Sequence, residues 1–183
     1  MKQTCVDIAE EADLSAITTM FAALNDLHAR QIPSRFRSDV TVADLEGFLR
    51  DKLATGAQAV VYRTEGVVRG YLLWLVEGRS GEVLRHPRKV ATLDQIYVDP
   101  ICRRRGVARR MIRFFEIQAQ LAGCSEWVAT HYAVNNASQS LLQGAGAASD
   151  FHRLTKQLSD QEPLSLTVAS PAFMSPFARS KRR

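Results

Sequence analysis

The chain contains no run of roughly 18 apolar residues, so the sequence offers no segment able to cross a bilayer as a helix. Its start, Met1-Lys2-Gln3-Thr4-Cys5, lacks the apolar stretch of a secretory signal, and the protein is expected to be soluble and cytoplasmic, with no membrane partner. Cysteine is scarce. Cys5, Cys102 and Cys124 are odd in number, far apart and without the close pairs of a zinc site, which argues against a disulfide framework and against a bound metal. No internal repeat or low-complexity tract is present. The basic residues are accompanied by no aromatic-rich RNA motif and no zinc pattern, so a nucleic acid is not the expected partner.

What is present is enough for one core. The 183 residues are 46% hydrophobic, a length and composition that suit a single packed domain. The net charge of +5 is concentrated in two clusters, Arg103 to Arg113 and Arg179 to Arg183, and suits an anionic partner. After Leu158 the composition shifts. Pro163, Pro171 and Pro176 interrupt a stretch whose one weak strand candidate is Leu164 to Val168. Residues 1–158 are therefore read as the domain and 159–183 as an appendage with a basic tail, the tail being an ordinary solvated terminus.

Hydrophobic spacing divides the domain into elements. Gln3 to Ala9 reads as a strand, and Asp13 as the N-cap of a helix carrying Leu14, Ile17, Phe21, Leu24 and Leu27 on one face. Past Pro33, a second helix is capped by Thr41 with Asp44 three residues on, and Val42, Leu45, Phe48, Leu49 and Leu53 are predicted to face inward. Gln58 to Arg63 and Val67 to Val76 form a hairpin through Thr64-Glu65-Gly66. A polar loop from Glu77 to Pro87 leads to a strand from Lys89 to Val98, stopped by Asp99-Pro100. A helix from about Arg105 to Gly123, a strand from Glu126 to Thr130, a helix from Asn136 to Gln143 and a strand from Asp150 to Leu158 complete the order β-αα-βββ-α-β-α-β, an α/β architecture with a mixed sheet.

The junction after Val98 carries the clearest chemistry. A strand, a turn through Pro100 and a helix start bring the amides of Arg104 to Arg109 around one point at a helix N-terminus, where unpaired N–H groups and the helix dipole favour phosphate. Gly106 and Ala108 are small where a backbone must approach a ligand. The loop is neither the G-x-x-x-x-G-K-S/T pattern of triphosphate sites nor the G-x-G-x-x-G pattern of dinucleotide sites.

Arg103-Arg104-Arg105-Gly106-Val107-Ala108 resembles the pyrophosphate-binding motif of the GNAT acetyltransferase superfamily: Gln or Arg, two free positions, Gly, a free position, then Gly or Ala. The strand Leu93-Asp94-Gln95-Ile96-Tyr97-Val98-Asp99-Pro100 matches the Val-x-Pro-like strand that precedes it in that family. Asn135 to Ala147 resembles the downstream signature at Asn135, Ser138, Leu141 and Gly146. The resemblance spans about residues 3 to 158. It implies a mixed, mostly antiparallel central sheet flanked by about four helices, and an enzyme transferring acetyl from acetyl-CoA to a primary amine of a small molecule or a protein. Ile96, Tyr97 and Val98 would receive the pantetheine arm as an added strand, the loop from Arg103 through Arg109 the pyrophosphate, and Asn135 the cofactor arm.

By the same resemblance Asp94 stands where relatives have a Glu, and is the candidate to take the proton of the amine directly or through water. The oxyanion falls to a main-chain N–H near Val98. The family's usual general acid, a Tyr, is replaced by Leu142. Tyr132 and His131 are candidate replacements, as is Tyr97 if its strand is bulged; alternatively the thiolate leaves without an acid, its conjugate acid having a pKa of about 8.5. Each of these side chains has a plainer reading: Asp94 as an ordinary ion-pairing strand residue, His131 and Tyr132 as packing residues with wet tips. His28 and Phe36 are read as half-buried interhelical residues, with the acceptor pocket as the alternative. The loss of the Tyr also admits a CoA-binding sensor or interaction module without efficient catalysis. The last strand and the appendage offer surfaces for a homodimer.

Overall fold

Val60, Tyr62, Leu72 and Trp74 pack on one side of a sheet while Ala59, Val61, Tyr71 and Leu73 pack on the other, so its centre is apolar on both faces. The computed structural model describes residues 4–156 other than Glu82 and Arg85. Its sheet runs in the order β1 (Thr4–Ile8), β2 (Gln58–Thr64), β3 (Val67–Arg79), β4 (Arg88–Val98) and β5 (Glu126–Ala129). All neighbours are antiparallel except β4 and β5, which are parallel. Helices α1 (Leu14–Gln31) and α2 (Val42–Ala54) cover one face, and α3 (Val107–Leu121) and α4 (Asn136–Gly144) the other.

The helices bury apolar stripes against the sheet. Leu14, Ile17, Phe21 and Leu24 of α1 meet Leu45 and Leu49 of α2 and the near side of β2 and β3. On the far side Met111, Ile112 and Phe115 of α3 are fully buried, with the Phe115 ring edge-on to Trp74 and Trp127 at centroid distances of 5.3 and 6.0 Å. Burial of a ring of this size contributes about 2–3 kcal/mol. Gly70 sets how closely α3 lies: a Cβ there would come within 3.0 Å of the Tyr97 carbonyl and 3.3 Å of Met111 Cε. The β2–β3 hairpin closes through Glu65 and Gly66, both left-handed with φ of 53° and 78°, the two-residue turn whose twist matches its strands.

Four expectations change. The β3–β4 hairpin extends to the pair Arg79 and Arg88, because Glu77, Gly78 and Arg79 pair through their main chain whatever their side-chain polarity, and the polar loop shortens to 80–87. Asp13 is not a cap. A short 3-10 turn, Glu11–Asp13, precedes α1, and the Asp13 carboxylate accepts from the Glu10 N–H at 2.8 Å and from the Arg63 guanidinium across the fold. Val42 and Phe48 of α2 are exposed by 57% and 47%; the cap at Thr41 forms with Asp44, but the apolar stripe of α2 is narrower than its sequence suggests. Residues 150–156 form no strand, and Phe151 and Leu154 are exposed, so their alternation buries no face. Gln157, Leu158, the candidate strand Leu164 to Val168 and the basic tail lie outside the described residues. The chain divides into the units Met1–Ala148 and Ser149–Arg183, and every element named above belongs to the first.

Asp13 and Arg63 form a nearly buried ion pair, with side chains 7% and 19% exposed. Hydrogen bonding from Arg63, against the opposing effect of burial, holds the Asp13 carboxyl below its ordinary value. A carboxyl depressed in the folded state contributes stability that is present above its unfolded value, about 4, and is lost as pH falls through the folded one. Asp13→Asn is therefore expected to cost about 3 kcal/mol at neutral pH, since it leaves Arg63 unpaired. Urea unfolding should show a gap between the two proteins that closes on acidification; a gap independent of pH would mean that the ion pair is not its source.

Candidate active site

The strand β4 is broken in register at one residue. Leu73 pairs with Gln95 and Trp74 with Leu93, so Asp94 is the extra residue of a β-bulge. The bulge reverses the alternation. Before it Ala91 and Leu93 face α3; after it Ile96 and Val98 do, and Asp94 and Gln95 both turn toward α1 and α2. The main chain changes phase as well. Lys89 C=O points at β5, accepting from the Ser125 N–H, whereas Asp99 N–H donates to Arg69 C=O of β3, which by alternation leaves Ile96 and Val98 directed away from β3. Pairing with β5 ends at Leu93 and Ala129. From Asp94 onward β4 has an open edge.

A cavity of about 570 Å³ occupies this divergence. Its wall takes Asp94, Gln95 and Ile96 from β4, Thr130, His131 and Tyr132 from the segment after β5, and Asn135, Leu141 and Leu142 from α4 with its cap. Helices α1 and α2 with their connection complete it through Phe21, His28, Phe36 and Phe48. Asp94 is held by Lys52 of α2, Nζ to Oδ2 at 2.8 Å, with both side chains a little under 30% exposed at 28% and 29%. The same ammonium lies 5.1 Å above the Phe48 ring. Gln95 is fixed from below by the hydroxyl of the buried Tyr71 at 2.9 Å; burial pushes the Tyr71 phenol far above its ordinary value, so it stays a proton donor to Gln95. Three rings form one wall: His28 to Phe36 at 4.8 Å, Phe36 to Tyr132 at 5.4 Å and His28 to Tyr132 at 6.4 Å between centroids. Burial pushes the His28 imidazole below its ordinary value, leaving it neutral at neutral pH.

Beyond the open edge the chain turns through a 3-10 segment, Pro100–Cys102, anchored by Asp99, whose carboxylate accepts from Ile101 N–H at 3.1 Å and from Arg69 at 3.0 Å. Arg104 and Gly106 are left-handed, φ 61° and 74°, and the first main-chain bond of α3 runs from Arg110 N–H to Gly106 C=O. The amides of Arg104 to Arg109 lie ahead of that bond, at the positive end of a 15-residue helix, a concavity suited to an anion. The arginine side chains do not all follow their amides. Arg103 folds back, donating from Nε to Val98 C=O at 2.8 Å with its guanidinium 5.3 Å over Tyr97, and Arg109 lies against Gly144 of α4. Val107 is buried and Ala108 packs on the core, which fixes the helix start.

Asp94, Ile96, His131, Tyr132 and Asn135 thus share one cavity, and the amides of Arg104 to Arg109 lie apart from it at the start of α3, beyond the end of the same strand, with Arg103 folded back onto Val98. Tyr97 is not in the wall. The bulge falls three residues before it, and its ring packs against Tyr71 at 6.5 Å under Arg103. Val98 is buried, with its carbonyl engaged by Arg103. His131 Nδ1 lies 3.1 Å from Tyr132 C=O. Asn135 caps α4, accepting from Ser138 N–H at 3.0 Å through Oδ1, and borders the cavity. Leu142 is 8% exposed and lines the wall. His28 and Phe36, read first as interhelical residues, are wall residues. Lys52 carried no signal in the sequence; only the packing of α2 across β4 brings it to Asp94. Among the described residues no group of three His, Cys, Asp or Glu side chains is arranged to hold a metal, and no helix is long and apolar enough to cross a membrane.

The model of the acetyltransferase (GNAT) family matches residues 4–147. No curated protein sequence matches the chain. Among solved structures, a mutant of the BH1408 protein from Bacillus halodurans superposes with a TM-score of 0.75 at 12% identity, covering 85% of this chain and 99% of that one. The ribosomal-protein-alanine N-acetyltransferase from Brucella melitensis biovar Abortus 2308 gives 0.64 at 17% identity over 85% and 100%. The aminoglycoside N-acetyltransferase AAC(6')-Iy in complex with CoA gives 0.62 at 19% identity over 86% and 96%. At these identities the likeness is one of fold.

The Asn135 cap predicts a local cost. Asn135→Ala should lower stability by about 1 kcal/mol, read as a shifted urea midpoint with an unchanged slope. A variant as stable as the parent would show that α4 holds without its cap.

Proposed function

Since the chain belongs to the GNAT acetyltransferase family, we propose that it transfers the acetyl group of acetyl-CoA to a primary amine by direct attack of the amine, in the cytoplasm. The observation that carries this reading is the open edge of β4, which runs from the cavity wall at Asp94 to the amide concavity at Arg104. An edge with outward donors and acceptors fits the amides of a pantetheine arm, and a ring of free amides at a helix start fits a pyrophosphate.

Acetyl-CoA, when bound, supplies a thioester carbonyl open to attack. The chain supplies the rest. Amides of Arg104 to Arg109 hold the pyrophosphate, the main chain of Ile96 and Val98 aligns the arm, and the Asn135 amide nitrogen steadies it from α4. Asp94 takes the amine proton directly or through water, its carboxylate oriented by Lys52. A main-chain N–H of the open edge near Val98 meets the oxyanion. Tyr132 donates to the departing thiolate, with His131 the neighbouring alternative. A second reading, a CoA-binding module with little catalysis, is favoured by one observation: Leu142 stands in the wall without a transferable proton where the family has Tyr.

Calorimetry should find saturable acetyl-CoA binding, and thiol release with an amine present should separate enzyme from sensor. Gly106→Val is expected to weaken that binding at least about tenfold, and to lose about 1–2 kcal/mol of stability because Gly106 is left-handed. A folded variant with parental affinity removes the amide concavity from the site. Asp94→Asn should lower kcat by about a hundredfold or more while cofactor affinity holds; a fall in affinity with kcat intact would make Asp94 a structural residue.

A further inference from the structure

The cavity wall is specific about what it can receive. It presents the His28, Phe36 and Tyr132 rings together with Phe48, a residue 47% exposed on the helix whose Leu45 and Leu49 are buried. Exposed aromatic surface gathered around a cavity of about 570 Å³ is a binding surface for a small flat apolar body. One of the two carboxylates of the wall is already matched by a cation. The two are Asp44 and Asp94. Asp44 is committed to the cap of α2, accepting from the Thr41 N–H at 3.0 Å and hydroxyl at 2.6 Å, and Asp94 is committed to Lys52. His28, neutral by burial, adds no charge. A polycation would bring several ammonium groups to a wall where Asp44 is the one carboxylate not held by a cation, and the remaining charges would sit unpaired against apolar surface, which is costly.

Resting on the acetyltransferase reading, we propose that the acceptor is a small monoamine carried on an aromatic ring, an arylalkylamine. The ring stacks among His28, Phe36 and Tyr132, and the single amine points to Asp94. Nitrogen attacks the thioester carbon, the C–S bond breaks, the amine proton passes to Asp94, and the thiolate leaves to be protonated. The products are the N-acetyl arylalkylamine and free CoA. A polyamine, an aminoglycoside and a peptide N-terminus are the competing acceptor classes.

The test uses the full chain with acetyl-CoA and follows thiol release with phenethylamine, spermidine, an aminoglycoside and an alanine-terminated peptide. Phenethylamine is expected to exceed each of the others in kcat/KM by about a hundredfold. Preference for spermidine, the aminoglycoside or the peptide overturns the arylalkylamine assignment and leaves the acetyltransferase reading standing. A second readout separates the two ideas: calorimetric titration of phenethylamine in the presence of CoA, on the parent and on Phe36→Leu, which keeps apolar volume but removes a ring. Binding that Phe36→Leu weakens about fivefold to tenfold supports the aromatic site even if no thiol is released, in which case it is the acetyltransferase reading that fails. Absence of phenethylamine binding, or equal binding by parent and variant, overturns the inference.

Discussion

Everything that distinguishes this sheet from an ordinary one depends on the extra residue at Asp94. A strand that alternates without interruption would offer the same set of main-chain groups to β5 along its whole length. Because β4 gains one residue against β3, its N-terminal part is zipped to β5 and, among the described residues, its C-terminal part pairs with no strand on that side. The bulge also turns two consecutive side chains, Asp94 and Gln95, toward α1 and α2, so a carboxylate is delivered to the cavity at the point where the strands part. A side-chain position, a main-chain phase and a gap between strands thus follow from a single irregularity.

The ends of β4 are held differently, and the difference sorts charge in space. At its C-terminal end, the turn through Pro100 and the left-handed residues Arg104 and Gly106 aim a row of amides outward, while Gly70 lets α3 sit close enough to fix that row. Positive potential there comes from the main chain together with the exposed Arg104 and Arg105, while Arg103 and Arg109 spend their side chains on packing. Nearer the bulge, charge is cancelled within the protein by the pairing of Asp94 with Lys52. An anion is favoured at one end of the strand and a largely neutral body at the other.

Local chemistry was the legible part of the sequence. The Thr41–Asp44 capping box and the Glu65–Gly66 turn are each encoded within a few residues, and the structure forms them. The membership of Asp94, His131, Tyr132 and Asn135 in one cavity was reachable only through the family resemblance, because their elements are separated in the chain. What escaped was set by tertiary packing. Asp13 has the composition of an N-cap, but Arg63, fifty residues away, claims its carboxylate. The strand expected from Asp150 alternates without burying a face. Phe48 satisfies a helical period yet turns to the cavity, and a bulge leaves no composition signal at all, since it is a mismatch between two strands and not a property of either.

The ion pair at the bulge also acts as a filter on protonation state. Lys52 is tethered beside Asp94, so it competes as an intramolecular partner with an effective concentration of about millimolar or more. A free ammonium ion arriving from solution must displace it and gains little by the exchange. A neutral amine has no such competitor, because it needs only an acceptor for the proton it sheds on bond formation. Under the proposed reaction the site is thereby biased toward the free-base form, the one form in which a nitrogen still has a lone pair to give.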